Sequence, residues 1–216
     1  MEDKPMTAMT AAASSGAGAD VEDLSALTAL DNMAEAAPLA RLIAAGDPKP
    51  EAAMIPEFEA KPLRTSAITV PSGWIDYNGH MNVSYYTMAF DKAADQIYDD
   101  VLLIGAEYAR NLRMGPYVIQ QQIHYLGELL RGDEFCVGFR ILDFDAKRLH
   151  TWCDLIRVSD GRIAASAEAL VMNVDLEKRR STPYPDWAFA RIKALAEAQA
   201  DMPLPLRVGA KIGIRR

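Results

Sequence analysis

Four strand-like stretches follow one another between Tyr117 and Val174, and one long helical stretch precedes them. Tyr117 to Leu126 comes first, and Phe135, Val137, Phe139 and Ile141 then share one face of the second. Leu149 to Val158 is the third. From Arg162 to Val174, Ala165, Ala167 and Ala169 alternate with Ser166, Glu168 and Leu170. Ser159-Asp160-Gly161 is a turn signal between the last two. Upstream, Thr65, Ala67 and Thr69 alternate with Ser66, Ile68 and Val70, which predicts a strand ending at Pro71-Ser72-Gly73. Tyr86, Phe90, Ala93, Ile97 and Val101 recur at helical spacing, with Asp91, Lys92, Asp95, Asp99 and Asp100 mostly on other faces. Consecutive strands without helices between them lack the crossovers a parallel sheet requires. The fold expected is α+β, a curved antiparallel sheet wrapped around one long helix, the only element with an apolar stripe long enough to cover the concave face.

With 216 residues, 50% hydrophobic and 25% charged, the chain has material for one sizeable core and reads as a soluble globular protein. A net charge of -7 disfavours nucleic acid and anionic membrane as partners. Cys136 and Cys153 are too few for a disulfide framework and lack zinc-site spacing, which fits a reducing compartment. No stretch has the apolar length to span a bilayer, and the first twenty residues lack a secretory h-region, so a cytoplasmic protein is expected.

Charge and composition divide the chain. Residues 1–60 hold 11 acids and 3 bases, leaving 19 acids and 20 bases for the rest. They also hold 17 alanines and a single aromatic, Phe58. Residues 1–60 are therefore read as an acidic Ala-rich arm, low in complexity to Asp20. Leu24, Leu27, Leu30, Leu39, Leu42 and Ile43 are able to form only marginal helices there. Residues 61–180 are the folded domain. Residues 181–216 are a C-terminal helix and tail, the helix starting at Pro185-Asp186 and docking through Trp187, Phe189, Ile192 and Ala196, the tail loose beyond Met202.

Reactive groups are densest in Trp74-Ile75-Asp76-Tyr77-Asn78-Gly79-His80-Met81-Asn82, between the first strand and the long helix. Asp76 is its only carboxylate, and His80 is one of three histidines in the chain. Asn82 can cap the helix, leaving the amides of Val83, Ser84 and Tyr85 as donors at the positive end of the helix dipole. A carboxylate beside such donors suits attack on a carbonyl whose oxygen becomes negative. Taken alone, Asp followed by Asn-Gly is an ordinary turn.

Asp76-Tyr77-Asn78-Gly79-His80-Met81-Asn82, after a strand and before the long helix, resembles the signature of hotdog-fold acyl-CoA thioesterases of the 4-hydroxybenzoyl-CoA thioesterase type. The resemblance covers about Leu63 to Asp175. From Trp74 through Tyr117-Val118-Ile119-Gln120-Gln121-Gln122-Ile123-His124-Tyr125 the chain is most similar to the betainyl-CoA thioesterases associated with L-carnitine dehydrogenase. The resemblance implies a catalytic carboxylate at Asp76, nucleophile or general base, a tight-turn glycine at Gly79 and an oxyanion amide at Val83. His80 and Asn82 match its Gly-His-x-Asn. One departure is Trp74, which stands where many relatives carry a second acid. His80 is expected to hydrogen-bond the carbonyl or, preferably, to fix the loop.

A betainyl group offers a trimethylammonium, which aromatic faces bind by cation-π attraction. Trp74 and Tyr77 are the leading candidates, with Tyr85, Tyr86 and Trp152 also available. Coenzyme A, part of the substrate and not a cofactor, brings phosphates for Lys147, Arg148, Arg179 and Arg180. No cofactor or metal is expected. His124, His150 and both cysteines read as structural. The resemblance also implies a homodimer or tetramer with sites between subunits, which would cover exposed sheet edges. Two rival readings share the fold. A non-catalytic acyl-CoA sensor would bind without turnover. A hydratase or dehydratase uses an Asp and His separated by four residues, where Asp76 and His80 have three between them.

Overall fold

The structure, a computed structural model, describes residues 55–214. The arm's candidate helices, and all of its low-complexity start, lie outside the described residues. In chain order come β1 (Leu63–Arg64), β2 (Ile68–Thr69), α1 (Val83–Gln96) and a π-helical turn (Ile97–Leu102). They are followed by α2 (Ala106–Leu112), β3 (Met114–Tyr125), β4 (Glu134–Phe144), β5 (Arg148–Arg157), β6 (Ile163–Asp175), β7 (Arg180–Ser181) and α3 (Asp186–Ala198). The sheet is antiparallel in the order β1-β4-β5-β6-β3, with β2 on β4 and β7 on β6. This is the α+β architecture expected, the hotdog fold, with α1 against one face of the sheet.

The alternation in β4 has its cause in that packing: Phe135, Val137, Phe139 and Ile141 are all buried in one core with Phe90, Ala93 and Ile97 of the helix. Leu149, Cys153 and Leu155 of β5 and Ala165, Ala167 and Val171 of β6 complete it. Burial pushes the Cys153 thiol up to about 12, which leaves it an apolar filler. Among the described residues neither cysteine is in a disulfide.

Four features differ from the sequence expectation. The first strand is broken into β1 and β2, because register steps from Arg64↔Gly138 to Ile68↔Phe135 and so holds one residue more than β4. Thr65 bridges the break, its amide donating to Val137 O (3.0 Å) and its Oγ1 accepting from Val137 N (3.0 Å). The long helix turns π at Ile97 and stops at Leu103, a buried residue in the left-handed region (φ 59°) rather than a glycine. The short α2 lacks the periodicity that would announce it and is pinned through Tyr108, whose hydroxyl donates to Asn173 Oδ1 (3.1 Å).

The segment after Met202, expected as a loose tail, is the fourth. Arg140, buried on β4, donates to Pro203 O (2.8 Å), Gln122 of β3 to Ala210 O (2.8 Å), and Gly209 N to Glu168 Oε2 of β6 (2.8 Å). Before it, Gln199 accepts from Ile141 N (2.9 Å) and donates to Lys61 O (3.0 Å), tying the end of α3 to β4. Of the residues expected to dock α3, Ile192 is fully buried and Trp187, Phe189 and Ala196 pack partly buried against the core, joined by the fully buried Leu195.

Phe139 is the midpoint of this core, buried and edge-on to Tyr98 at 6.2 Å. Phe139→Ala should cost about 3–5 kcal/mol of unfolding free energy, read as a lower urea midpoint with unchanged slope.

Candidate active site

The stretch from Trp74 to Asn82 closes on itself as a tight hairpin. Asn82 N donates to Trp74 O (2.9 Å), Ile75 and Met81 form an antiparallel bridge, and Asp76 N donates to His80 O (3.0 Å). Its tip is a turn in which Gly79 N donates to Asp76 O (3.0 Å) and Gly79 takes φ +85°. A side chain there would meet no neighbour, so the glycine is required by backbone conformation, not by space.

The hairpin is fixed to the core at both ends. Trp74 is 2% exposed and stacks on Tyr85 at 4.9 Å with the rings 7° apart. The Tyr85 hydroxyl returns to Gly73 O (3.3 Å). At the other end Met81 N donates to Leu129 O (2.8 Å), and Leu129 N donates to the hydroxyl of buried Tyr86 (3.1 Å). That hydroxyl in turn donates to Gly127 O (3.4 Å). Helix α1, the β3–β4 turn and the hairpin are therefore one hydrogen-bonded unit.

Asp76 lies half-buried in the hairpin. Its Oδ1 accepts from Asn78 N (2.8 Å) and its Oδ2 from Asn82 Nδ2 (3.4 Å). Asn82 is also the N-cap of α1, its Oδ1 accepting from Ser84 N (2.9 Å) and its carbonyl from Tyr85 N (3.0 Å). The cap thus engages two of the three amides expected as donors, a correction to that expectation, and leaves Val83 N as the donor at the helix start. Val83 itself is 53% exposed. His80 places Nδ1 3.1 Å from Met81 O. A carbonyl only accepts, so that nitrogen carries the proton, and the contact fits the loop-fixing role.

The aromatic candidates separate. Trp74, Tyr85 and Tyr86 hold the hairpin to the core, while Tyr77 stands 96% exposed at the tip. Of the two leading candidates, Trp74 lies beneath the loop and Tyr77 projects from it. Trp152 is buried, with its Nε1 on Asp154 Oδ1 (2.8 Å).

The basic candidates also lie apart from Asp76 within one chain. Arg148 and Arg157 bound β5, and Arg157 is paired to Phe135, opposite the strand that leads to the hairpin. Nine strand residues, about 30 Å, therefore separate Arg148 from the hairpin end of the sheet. Arg148 is held by Asp145 through both Nε (2.8 Å) and Nη2 (2.5 Å), whereas Lys147, Arg179 and Arg180 are exposed. Arg180 pairs with Asp175 at that same far end.

A groove of about 360 Å³ starts at Ser84 and follows α1 past Thr87, Met88 and Asp91 towards Tyr98, floored by β6. Its signal in the sequence is the run of alternating alanines: Ala167 and Ala169 face the helix without filling the space beneath it. Asp91 and Asp95 border it, with Lys92 on Asp95 (2.9 Å). Burial, and secondly Asp95, raise the Asp91 pKa. Among the described residues no group of three His, Cys, Asp or Glu side chains is placed to hold a metal. No helix among them is long and apolar enough to cross a membrane.

A hotdog sheet with a carboxylate hairpin at the start of its helix defines a thioesterase-like architecture. The chain belongs to the thioesterase-like superfamily, whose sequence profile matches residues 70–194. It is 31% identical over 154 residues to a betainyl-CoA thioesterase of Pseudomonas aeruginosa, covering 70% of this chain and 95% of that protein. It is 30% identical over 156 residues to an L-carnitine dehydrogenase/betainyl-CoA thioesterase of Rhizobium meliloti, covering 72% of this chain. The chain spans 31% of the length of that relative. Among solved structures, a Staphylococcus aureus protein in complex with CoA superposes with TM-score 0.67 at 29% identity, covering 73% of this chain and 98% of that one. A putative thioesterase of Pseudomonas putida KT2440 superposes with TM-score 0.62 at 30% identity, covering 72% and 98%.

Asn82→Ala removes the cap and a donor to Asp76 together, and should cost about 1 kcal/mol of stability. Asn82→Ser keeps a capping oxygen but cannot donate to Asp76 as the amide does. Thermal unfolding should therefore be restored by Ser, and the kcat of any Asp76-dependent reaction should not.

Proposed function

We propose that this chain hydrolyses acyl-CoA thioesters, with Asp76 as nucleophile or general base, Val83 N as oxyanion donor and betainyl-CoA as the substrate. The observation that carries this reading is Asn82, which orients the Asp76 carboxylate with one side-chain atom and caps the helix with the other. One residue thereby fixes the attacking group relative to the donor. Either Asp76 attacks the thioester carbonyl, expelling CoA thiolate and leaving an anhydride for water to open, or it takes a proton from the attacking water. In both routes negative charge develops on the carbonyl oxygen, where Val83 N and the helix dipole favour it. The names of the relatives support betainyl-CoA.

The groove along α1 bears on specificity. Asp91 lies eight residues beyond Val83, about 12 Å along the helix. The betaine nitrogen is only two bonds from the carbonyl, so those acids are out of its reach. Within this chain the exposed ring of Tyr77 is left to meet the trimethylammonium.

The phosphates of CoA require a second subunit on this reading. Among the described strands β3 pairs β6 alone and is a free edge of the sheet. Joining two β3 edges antiparallel gives a homodimer and brings the far end of one sheet, with Lys147, Arg179 and Arg180, beside the hairpin end of the other. Light scattering should give a mass of at least a dimer, and a monomer would refute this placement.

Thiol release should be followed with betainyl-CoA, acetyl-CoA and an aromatic acyl-CoA. Wild type should favour betainyl-CoA, and Asp76→Ala should lose on the order of a hundredfold or more in rate. Tyr77→Ala should raise KM for betainyl-CoA while leaving acetyl-CoA unaffected. Turnover of the neutral thioesters alone would remove the betainyl assignment, and tight binding without thiol release from any of them would make the protein an acyl-CoA sensor.

A further inference from the structure

The segment beyond α3 crosses the outer face of the sheet, away from α1. Its anchors fall on Arg140 of β4, Glu168 of β6 and Gln122 of β3 in turn, so it runs towards the free edge. Past the last anchor, at Ala210, Ile212 is 92% exposed and Ile214 is 88% exposed. Two apolar side chains are thus presented in water by backbone fixed to the edge strand. That strand also exposes Tyr117, Val118 and Ile119.

Beside the segment, on the same face, is a groove of about 700 Å³ bordered by Gln120, Phe144, Arg148, His150 and Leu170. The sheet and its loops contribute Asp143, Asp145 and Glu168 to it, with Asp145 held by Arg148 and Glu168 by His150 Nε2 (2.7 Å), and the chain's own Gly209, Ala210 and Lys211 form a further wall. The tip of the described segment is Lys211-Ile212-Gly213-Ile214. Ile212 borders the groove of its own chain and still stands exposed, so its own tip does not fill it.

We propose that two copies of this chain exchange these tips, Ile212 and Ile214 of each seating in the outer-face groove of the other. The proposal rests on the edge-to-edge pairing of β3 given above. The reach is sufficient: four residues from Ala210 to Ile214 span about 13 Å when extended. Strands lie about 4.8 Å apart, so a tip leaving one β3 reaches the second or third strand of the abutting sheet. Those strands are the partner's β6, which lines the groove with Glu168 and Leu170, and its β5, which lines it with Arg148 and His150. Gln120, at the groove's near side, lies close to the middle of β3, where a two-fold axis between paired edges would pass. Burying Ile212 and Ile214 beside Leu170 and Gln120 gives the tip an apolar reason to cross.

Two measurements test this on the full chain. Ile212→Cys and Leu170→Cys proteins, co-expressed with different tags and oxidised, should give a disulfide-linked heterodimer absent from either protein alone. Ile212→Glu/Ile214→Glu should raise the dimer dissociation constant at least tenfold by light scattering across concentration, with unchanged circular dichroism. A dimeric wild type that gives no mixed adduct and an unaltered dissociation constant would overturn the exchange while leaving the β3 pairing intact. A link formed only within one chain carrying both cysteines would show that the tip folds onto its own groove, again overturning the exchange. A monomeric wild type would end the β3 pairing itself, and the exchange with it.

Discussion

The backbone of Leu129 is where the arrangement of the site is decided. Its carbonyl accepts from Met81 in the hairpin and its amide donates to the hydroxyl of Tyr86 on α1, both in the buried interior. A buried amide or carbonyl left without a partner costs about 1–3 kcal/mol, so hairpin, helix and β3–β4 turn are held in one mutual arrangement. Tyr86 is thus a buried strut that spans three segments far apart in sequence. The stacked Trp74 and Tyr85 do the same on the opposite side of the hairpin, by ring contact rather than hydrogen bonds. Between these two fixings Asp76 has little freedom to move relative to the start of the helix.

Much of the fold was legible because its signals are local and redundant. Phe135, Val137, Phe139 and Ile141 declare a strand face by alternation, and the same four side chains form the core. Asn82 reads as a cap from its position and acts as one. What stayed hidden depends on distant partners. The short α2 is stabilised by a hydrogen bond from Tyr108 to Asn173, which no window around either residue contains. The break between β1 and β2 follows from register against β4, invisible until the two are paired. Leu103 ends the long helix in the left-handed region without a glycine because burial of its side chain opposes the conformational cost.

At the candidate site the sequence identifies residue types but not their division of labour. Six aromatics or amides near Asp76 are chemically able to meet a substrate, and only burial separates Tyr77 from Trp74 and Tyr86. Counting amides was equally incomplete. Three open the helix, and a single asparagine takes up two of them, one through its side chain and one through its carbonyl.

That division has a chemical consequence. Trp74 occupies the place where the family resemblance leads one to look for a second acid, and it holds the loop by packing. Asp76 consequently has no carboxylate beside it in the hairpin, and its charge is met by Asn78 N and Asn82 Nδ2 rather than by the helix start. If Asp76 took its hydrogen bond from Val83 N, the donor needed in the transition state would already be saturated in the ground state, and little rate would be gained. On the proposed reading, separate donors for Asp76 and for the oxyanion would leave Val83 N to the carbonyl oxygen as charge appears on it.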